Sequence, residues 1–281
     1  KAAVFNSIDH GPLPQEAIES TVYLSGAVGG PWTQAVVERV WLEGFMANTG
    51  ILWDGFTFAV GTGTSNTFRY ASVIHGGPGV PYSKPWSGLE PLSAAYQFHY
   101  YDQRGCGQST RPIDKFSSDN YYENLATLDR TLGLGAQIAD IERIRQILGE
   151  DRLIVIGHSF GGFLASLYAA EFPEHVEALI LVAPADVLVM PQDSGGLFEL
   201  VGQRLPDDMR SDYDAYLKRY FAFRSIFTKS ETELAKLNEE FGQYYAAVAP
   251  VPISEQGRTG GWMVQAMYFS MGQQHDYRKA L

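Results

Sequence analysis

Leu153-Ile154-Val155-Ile156-Gly157-His158-Ser159-Phe160-Gly161-Gly162 is the stretch on which the fold is decided. Its first four residues are apolar without a break, as in a strand covered on both faces. A tight turn follows, and residues 160–172 read as a helix stopped at Pro173. Strand, turn and helix around Gly-x-Ser-x-Gly is the context that lifts a serine above the carboxyl edge of a parallel sheet. The turn needs small neighbours, supplied by Gly157 and Gly161, because its central residue is held in a strained backbone conformation. The helix that follows points its positive amino end at the same spot. Ser159 therefore reads as a nucleophile. The competing reading is a plain N-cap serine.

The pattern continues outward. Residues 71–74, 97–101 and 178–182 are further apolar strands. Residues 137–148 place Ile138, Ile141, Ile144 and Leu148 on one helix face, with Gly149 set to cap the end. Apolar strands separated by helices predict an α/β fold, a mostly parallel sheet with helices on both faces. Residues 1–186 form this core. Within it, residues 1–35 read as an irregular arm and residues 36–68 as a hairpin or meander turning at 61–66. That Gly-rich turn opens no helix, so it does not read as a phosphate loop. After Asp186 the alternation stops. Residues 187–276 show no strand, whereas Leu234, Leu237, Phe241 and Tyr245 keep helical spacing and residues 212–223 are amphipathic. A helical cap over the sheet's carboxyl edge, where α/β folds place ligands, is expected there. Residues 277–281 read as the start of the return to the core.

The chain has 281 residues and a mass of 31.1 kDa, 45% hydrophobic and 19% charged. That is one large domain or one domain with an insertion, with apolar surface enough to fold. Twenty-one Lys and Arg against thirty-two Asp and Glu give a formal charge of −11. With no basic run against that field, nucleic acid is not an expected partner. A single cysteine, Cys106, excludes an internal disulfide and a Cys-based zinc site. No metal or cofactor is called for. No stretch approaches the ~18 apolar residues that span a bilayer, so no membrane partner is expected. A chain opening on Lys1 reads as one from which something has been removed. The compartment stays open, the cytoplasm being favoured over a secreted or periplasmic location.

A second motif, His75-Gly76-Gly77-Pro78-Gly79, follows the strand at 71–74. Its glycines allow backbone N–H groups to face inward, where acyl transfer needs donors for an oxyanion. Gly77 N–H and Phe160 N–H are the natural pair. The alternative is an ordinary tight turn. His75 lies upstream of Ser159 and reads as a residue that ties its loop down.

These two motifs, with Asp102-Gln103-Arg104-Gly105-Cys106-Gly107-Gln108-Ser109 and Ile138-Ala139-Asp140-Ile141-Glu142-Arg143-Ile144-Arg145, resemble the proline iminopeptidase family of α/β-hydrolases. The resemblance covers roughly residues 68–186 well and the cap loosely. It implies release of an amino-terminal residue, often proline, from short peptides or amides, by a Ser–His–Asp triad without a metal. It also implies that Asp102 and Arg104 build the loop beside the site through a buried ion pair or backbone hydrogen bonds. Acidic side chains of the cap bind the substrate's ammonium in relatives. Glu239 and Glu240 are the candidates by position, against the alternative of solvated charges on a helix face. Trp262, with Tyr244 and Tyr268, is open between an apolar substrate wall and core. His158 and Phe160 stand where the family has Gly and Trp, which keeps a carboxylesterase or lactonase, or a non-catalytic binding module, in play.

The triad in this fold runs Ser, acid, His along the chain. After Ser159 only His175 and His275 remain. His175 falls in the turn between helix and strand, and His275 is followed at once by Asp276. The triad acid and histidine, with the remaining core strands, are therefore expected beyond Leu281, in a continuing chain or a companion polypeptide. His275 as an unusually placed base is the alternative.

Overall fold

The computed structural model of the chain describes residues 69–191, 196–249, 256–272 and 274–281, and the backbone of four strands before them. These are β1 (Ala2–Val4), β2 (Ser20–Ser25), β3 (Gln34–Val40) and β4 (Thr57–Val60). They are followed by β5 (Arg69–Ile74), β6 (Tyr96–Tyr101), β7 (Leu153–His158) and β8 (Val176–Val182). One six-stranded sheet has the order β1-β4-β6-β5-β7-β8. Strands β6, β5, β7 and β8 are parallel, β4 pairs antiparallel with β6, and β1 pairs antiparallel with β4. The arm expected over residues 1–35 thus contains strands where it is described. The turn expected at 61–66 lies outside the described residues.

From β5 the chain moves outward to β6, then crosses back to the other side of β5 to make β7. The strand order reverses there, opening a crevice at the carboxyl ends of β5 and β7. Strands β5, β6 and β7 carry buried apolar side chains on both faces of the sheet. Ile74, Tyr101, Leu153 and Val155 pack with the helices on one side. Ala71, Val73, Phe98, Tyr100, Ile154 and Ile156 pack with Tyr82, Trp86 and Leu89 on the other. β8 departs from the expectation of a covered strand: Leu179, Ile180, Leu181 and Val182 are 37–45% exposed. Among the described residues it is the last strand of the sheet, with β7 on one side only.

Helix α1 (Tyr121–Leu132) starts where the Asn120 side chain accepts the Tyr122 and Glu123 N–H groups. Helix α2 (Leu134–Leu148) begins three residues before the predicted start, because Ser270 Oγ accepts the Leu134 N–H. It ends as expected on Gly149, whose φ of 72° suits a residue without a Cβ. Helix α3 (Phe160–Glu171) follows Ser159. Next come α4 (Leu197–Arg204), α5 (Asp207–Tyr220), α6 (Glu231–Val248) and α7 (Trp262–Met271). Tyr213, Tyr216, Tyr220, Leu237 and Tyr244 form a second, aromatic core among them. Residues 187–276 are not free of strand: β9 (Val189–Met190) pairs antiparallel with β10 (His275–Asp276), drawing the two ends of the helical segment together. Two residues are too few for an alternating pattern to show in sequence.

Candidate active site

Ser159 stands between β7 and α3 with φ 53° and ψ −124°. A positive φ at a non-glycine residue costs of order 1–3 kcal/mol and persists only where the surroundings enforce it. Here its N–H donates to Val182 O at 3.1 Å, and its carbonyl accepts Ala185 N–H at 2.9 Å. A Cβ on Gly157 would lie 2.4 Å from Gly161 O, and one on Gly161 would lie 2.3 Å from Ile74 O. Both glycines are therefore required by close backbone approach. Ser159 occupies the N-cap position of α3, but its side chain makes no cap hydrogen bond.

The loop after β5 lies against this turn. A Cβ on Gly76 would meet Ser159 Cβ at 2.7 Å and Oγ at 3.2 Å. Gly77 follows at φ 119°, a region closed to most side chains. Phe160 N–H belongs to the first turn of α3 and has no intrahelical acceptor by position. Phe160 follows Ser159 directly in the chain, and Gly77 follows Gly76, the residue packed against the Ser159 side chain.

His75 is buried and fastens the loop, as its position suggested. Its Nε2 accepts Gln103 N–H at 3.1 Å, and Gln103 Nε2 donates to His75 O at 2.7 Å. Burial holds its pKa down, to about 4. Arg104 forms a two-pronged pair with Asp140 at 2.6 and 2.5 Å and also donates to Thr131 O. Asp102 accepts Gln108 N–H at 2.8 Å, and its carbonyl accepts the Ser109 hydroxyl. His158 is half-buried between the rings of Tyr82 and Trp86, and burial lowers its pKa.

Other candidates go elsewhere. Trp262 is fully buried among Phe116 and Phe227, and its indole N–H donates to Asp114 O at 3.1 Å. It is core and offers no surface to a substrate. Glu240 pairs with Arg219 across α5 and α6, lining a 330 Å³ surface groove, and Glu239 is exposed. Both therefore behave as solvated helix charges, not as a carboxylate aimed at Ser159. His175 bonds Glu142 at 3.1 Å at the start of β8. His275 has Nε2 2.8 Å from Val187 O and Nδ1 3.3 Å from Gly272 O, so both ring nitrogens face carbonyl groups. A nitrogen donating to a carbonyl is not a free base.

The residue that sequence reasoning missed is Glu231, buried at the start of α6. Its carboxylate accepts Gly261 N–H at 2.8 Å, Trp262 N–H at 2.6 Å and Arg111 Nε at 3.1 Å. A Ser-x-x-Glu capping box at Ser230 and Glu233 marks the helix start in sequence, but gives Glu231 no special role.

Residues 73–278 match a family model described as alpha/beta hydrolase fold. A proline iminopeptidase of Saccharolobus solfataricus is 29% identical over 189 residues, 66% of this chain and 52% of its own. One of Heyndrickxia coagulans is 36% identical over 114 residues, 40% of this chain and 34% of its own. A (lyso)-N-acylphosphatidylethanolamine lipase of Mus musculus is 33% identical over 105 residues, 37% of this chain and 27% of its own. The chain thus spans about half or less of the length of these relatives.

Proposed function

The chain belongs to the alpha/beta hydrolase fold family, and from that premise we propose that it is a serine hydrolase of the proline iminopeptidase type. The observation that carries the reading is Ser159 itself. Its backbone is strained, its side chain makes no cap bond, and it stands beside the Gly76-Gly77 loop at the mouth of the crevice. Ser159 Oγ attacks the carbonyl carbon of an amide or ester while its proton passes to a histidine. The tetrahedral oxyanion accepts hydrogen bonds from Gly77 and Phe160 N–H groups, each worth ~10²–10³ in rate where such a donor is removed. The imidazolium protonates the departing amine or alcohol, and water then releases the acyl group from Ser159 by the same steps in reverse order.

His75, His175 and His275 are each bonded elsewhere. None of these three is proposed as the general base. The substrate assignment, an amino-terminal residue released from a short peptide or amide, leans on the two peptidase relatives and on the shared motifs. The pairing of Glu240 with Arg219 favours a second reading, a carboxylesterase acting on an acyl group without an ammonium.

A fluorophosphonate probe should label the full-length protein at Ser159, and Ser159→Ala should remove the label. Absence of labelling in the unmutated protein overturns the hydrolase reading. A proline amide and an acyl ester of similar size, compared by kcat/KM, then separate the peptidase from the esterase.

A further inference from the structure

Residues 256–261 run as a strap across the loop that carries Gly77. Gly260 N–H donates to Gly79 O at 2.9 Å and Gly257 N–H to Pro81 O at 2.7 Å, and Tyr82 pairs with Gln256 as an isolated bridge. The fit is close, since a Cβ on Gly79 would lie 2.9 Å from Met263 Sδ and 3.0 Å from Val264 Cγ2. The strap is held from two further directions. The loop after β6 holds it through Gly107 N–H to Arg258 O at 2.7 Å. Helix α6 holds it through Asn238 Nδ2 to Gly260 O at 2.7 Å and through Glu231. Glu231 is 5% exposed, and its carboxylate takes the last N–H of the strap, the first N–H of α7 and the Arg111 guanidinium. Arg111 in turn donates to the carbonyls of Gly107 and Ser109.

We infer that Glu231 is a positioning residue for the oxyanion loop: by pinning residues 260–262 it holds Gly79 through Gly260, and so sets the aim of the Gly77 N–H at Ser159. Charge-assisted bonds to buried N–H groups are about twice as strong as neutral ones, and one carboxylate here orders three segments at once. The helical segment over the sheet thereby bears on the chemistry without touching substrate. The inference rests on the hydrolase reading for its catalytic meaning, but the mechanical link stands on the geometry alone.

The test reads the two separately in the full-length protein. Saturable fluorophosphonate labelling of Ser159 gives a maximal rate and a half-saturation constant. Hydrogen exchange over residues 76–82 reports the loop without reference to catalysis. Glu231→Ala should lower the maximal labelling rate at least tenfold with half-saturation unchanged within twofold, and exchange at 76–82 should quicken. Glu231→Gln should fall between, because its amide oxygen still accepts one N–H while its NH₂ confronts the other. Val201→Ala, which opens a cavity in the aromatic core on α4 and removes none of the bonds that hold the strap, should lower Tm yet leave both readouts within twofold. If Glu231→Ala leaves exchange and labelling unchanged, or Val201→Ala matches it, the inference is overturned. If the unmutated protein is not labelled but exchange responds to Glu231→Ala alone, the hydrolase reading fails and the mechanical link stands.

Discussion

Asp102 is the carboxyl group in the loop beside Ser159 whose environment disfavours its charge. Burial raises its pKa to about 6, against the Gln108 N–H bond and the nearby Arg111 guanidinium, which both pull it down. Because the folded value lies above the unfolded value of about 3.9, the native state binds more protons between about pH 4 and pH 6. Stability from this group is complete at the acid end and is lost as pH rises through 6. Asp102→Asn retains an oxygen for the Gln108 N–H and removes the charge. The variant should be more stable than the unmutated protein at pH 7, by at most about 3 kcal/mol, and the gap should close below about pH 4. Urea unfolding at pH 4 and pH 7 measures it, and a gap that does not change with pH would refute the assignment. At this scale the site is largely legible in the chain. Ser159, Gly76 and Gly77 announce themselves because strained turns admit so few residue types. Glu231 does not, because a glutamate in a polar first turn becomes a ligand for backbone N–H groups only once folding brings Gly261 and Trp262 to it.

Among elements, Arg104 and Asp140 do the joining. Arg104 lies in the loop after β6, 1% exposed, and Asp140 projects from α2, 5% exposed. A further guanidinium N–H donates to Thr131 O near the end of α1. One buried pair thus fixes a loop and two helices against the sheet. Removing one partner leaves an uncompensated charge, so Asp140→Ala should destabilise by about 3–5 kcal/mol. Arg104→Met with Asp140→Leu should recover most of that, because no charge is stranded. Chemical denaturation of the three proteins decides it, and equal loss in the single and double variants would contradict this account. Helix α2 is readable from its apolar spacing and Gly149. Helix α1 is not, since its buried face includes Asn124 and Thr131. Its one clear signal is Asn120 three residues before Glu123, a start signal that periodicity alone passes over. Trp262 misleads for the opposite reason: an aromatic near a site reads alike in sequence whether it lines a pocket or closes a core.

For the whole molecule, the open side of the sheet sets the behaviour. β7 and β8 are both apolar in sequence, and only packing separates them: among the described residues β7 lies between two strands and is buried, whereas β8 has one neighbour and is exposed along Leu179, Ile180, Leu181 and Val182. An apolar edge with unpaired backbone groups is a template for another strand. The 281-residue chain by itself should therefore associate as its concentration rises. A lysine on that edge should oppose the association, since its charge cannot be buried against a second strand. Ile180→Lys, at 45% exposure, should shift the population towards monomer in light scattering without lowering Tm appreciably, because its side chain leaves little packing behind. The same substitution in a polypeptide that carries further strands beside β8 should do the reverse: there Ile180 becomes interior, and the lysine should cost several kcal/mol of stability as a buried unpaired charge. A chain of 281 residues that stays monomeric at high concentration with Ile180 intact would count against an open, apolar edge at β8.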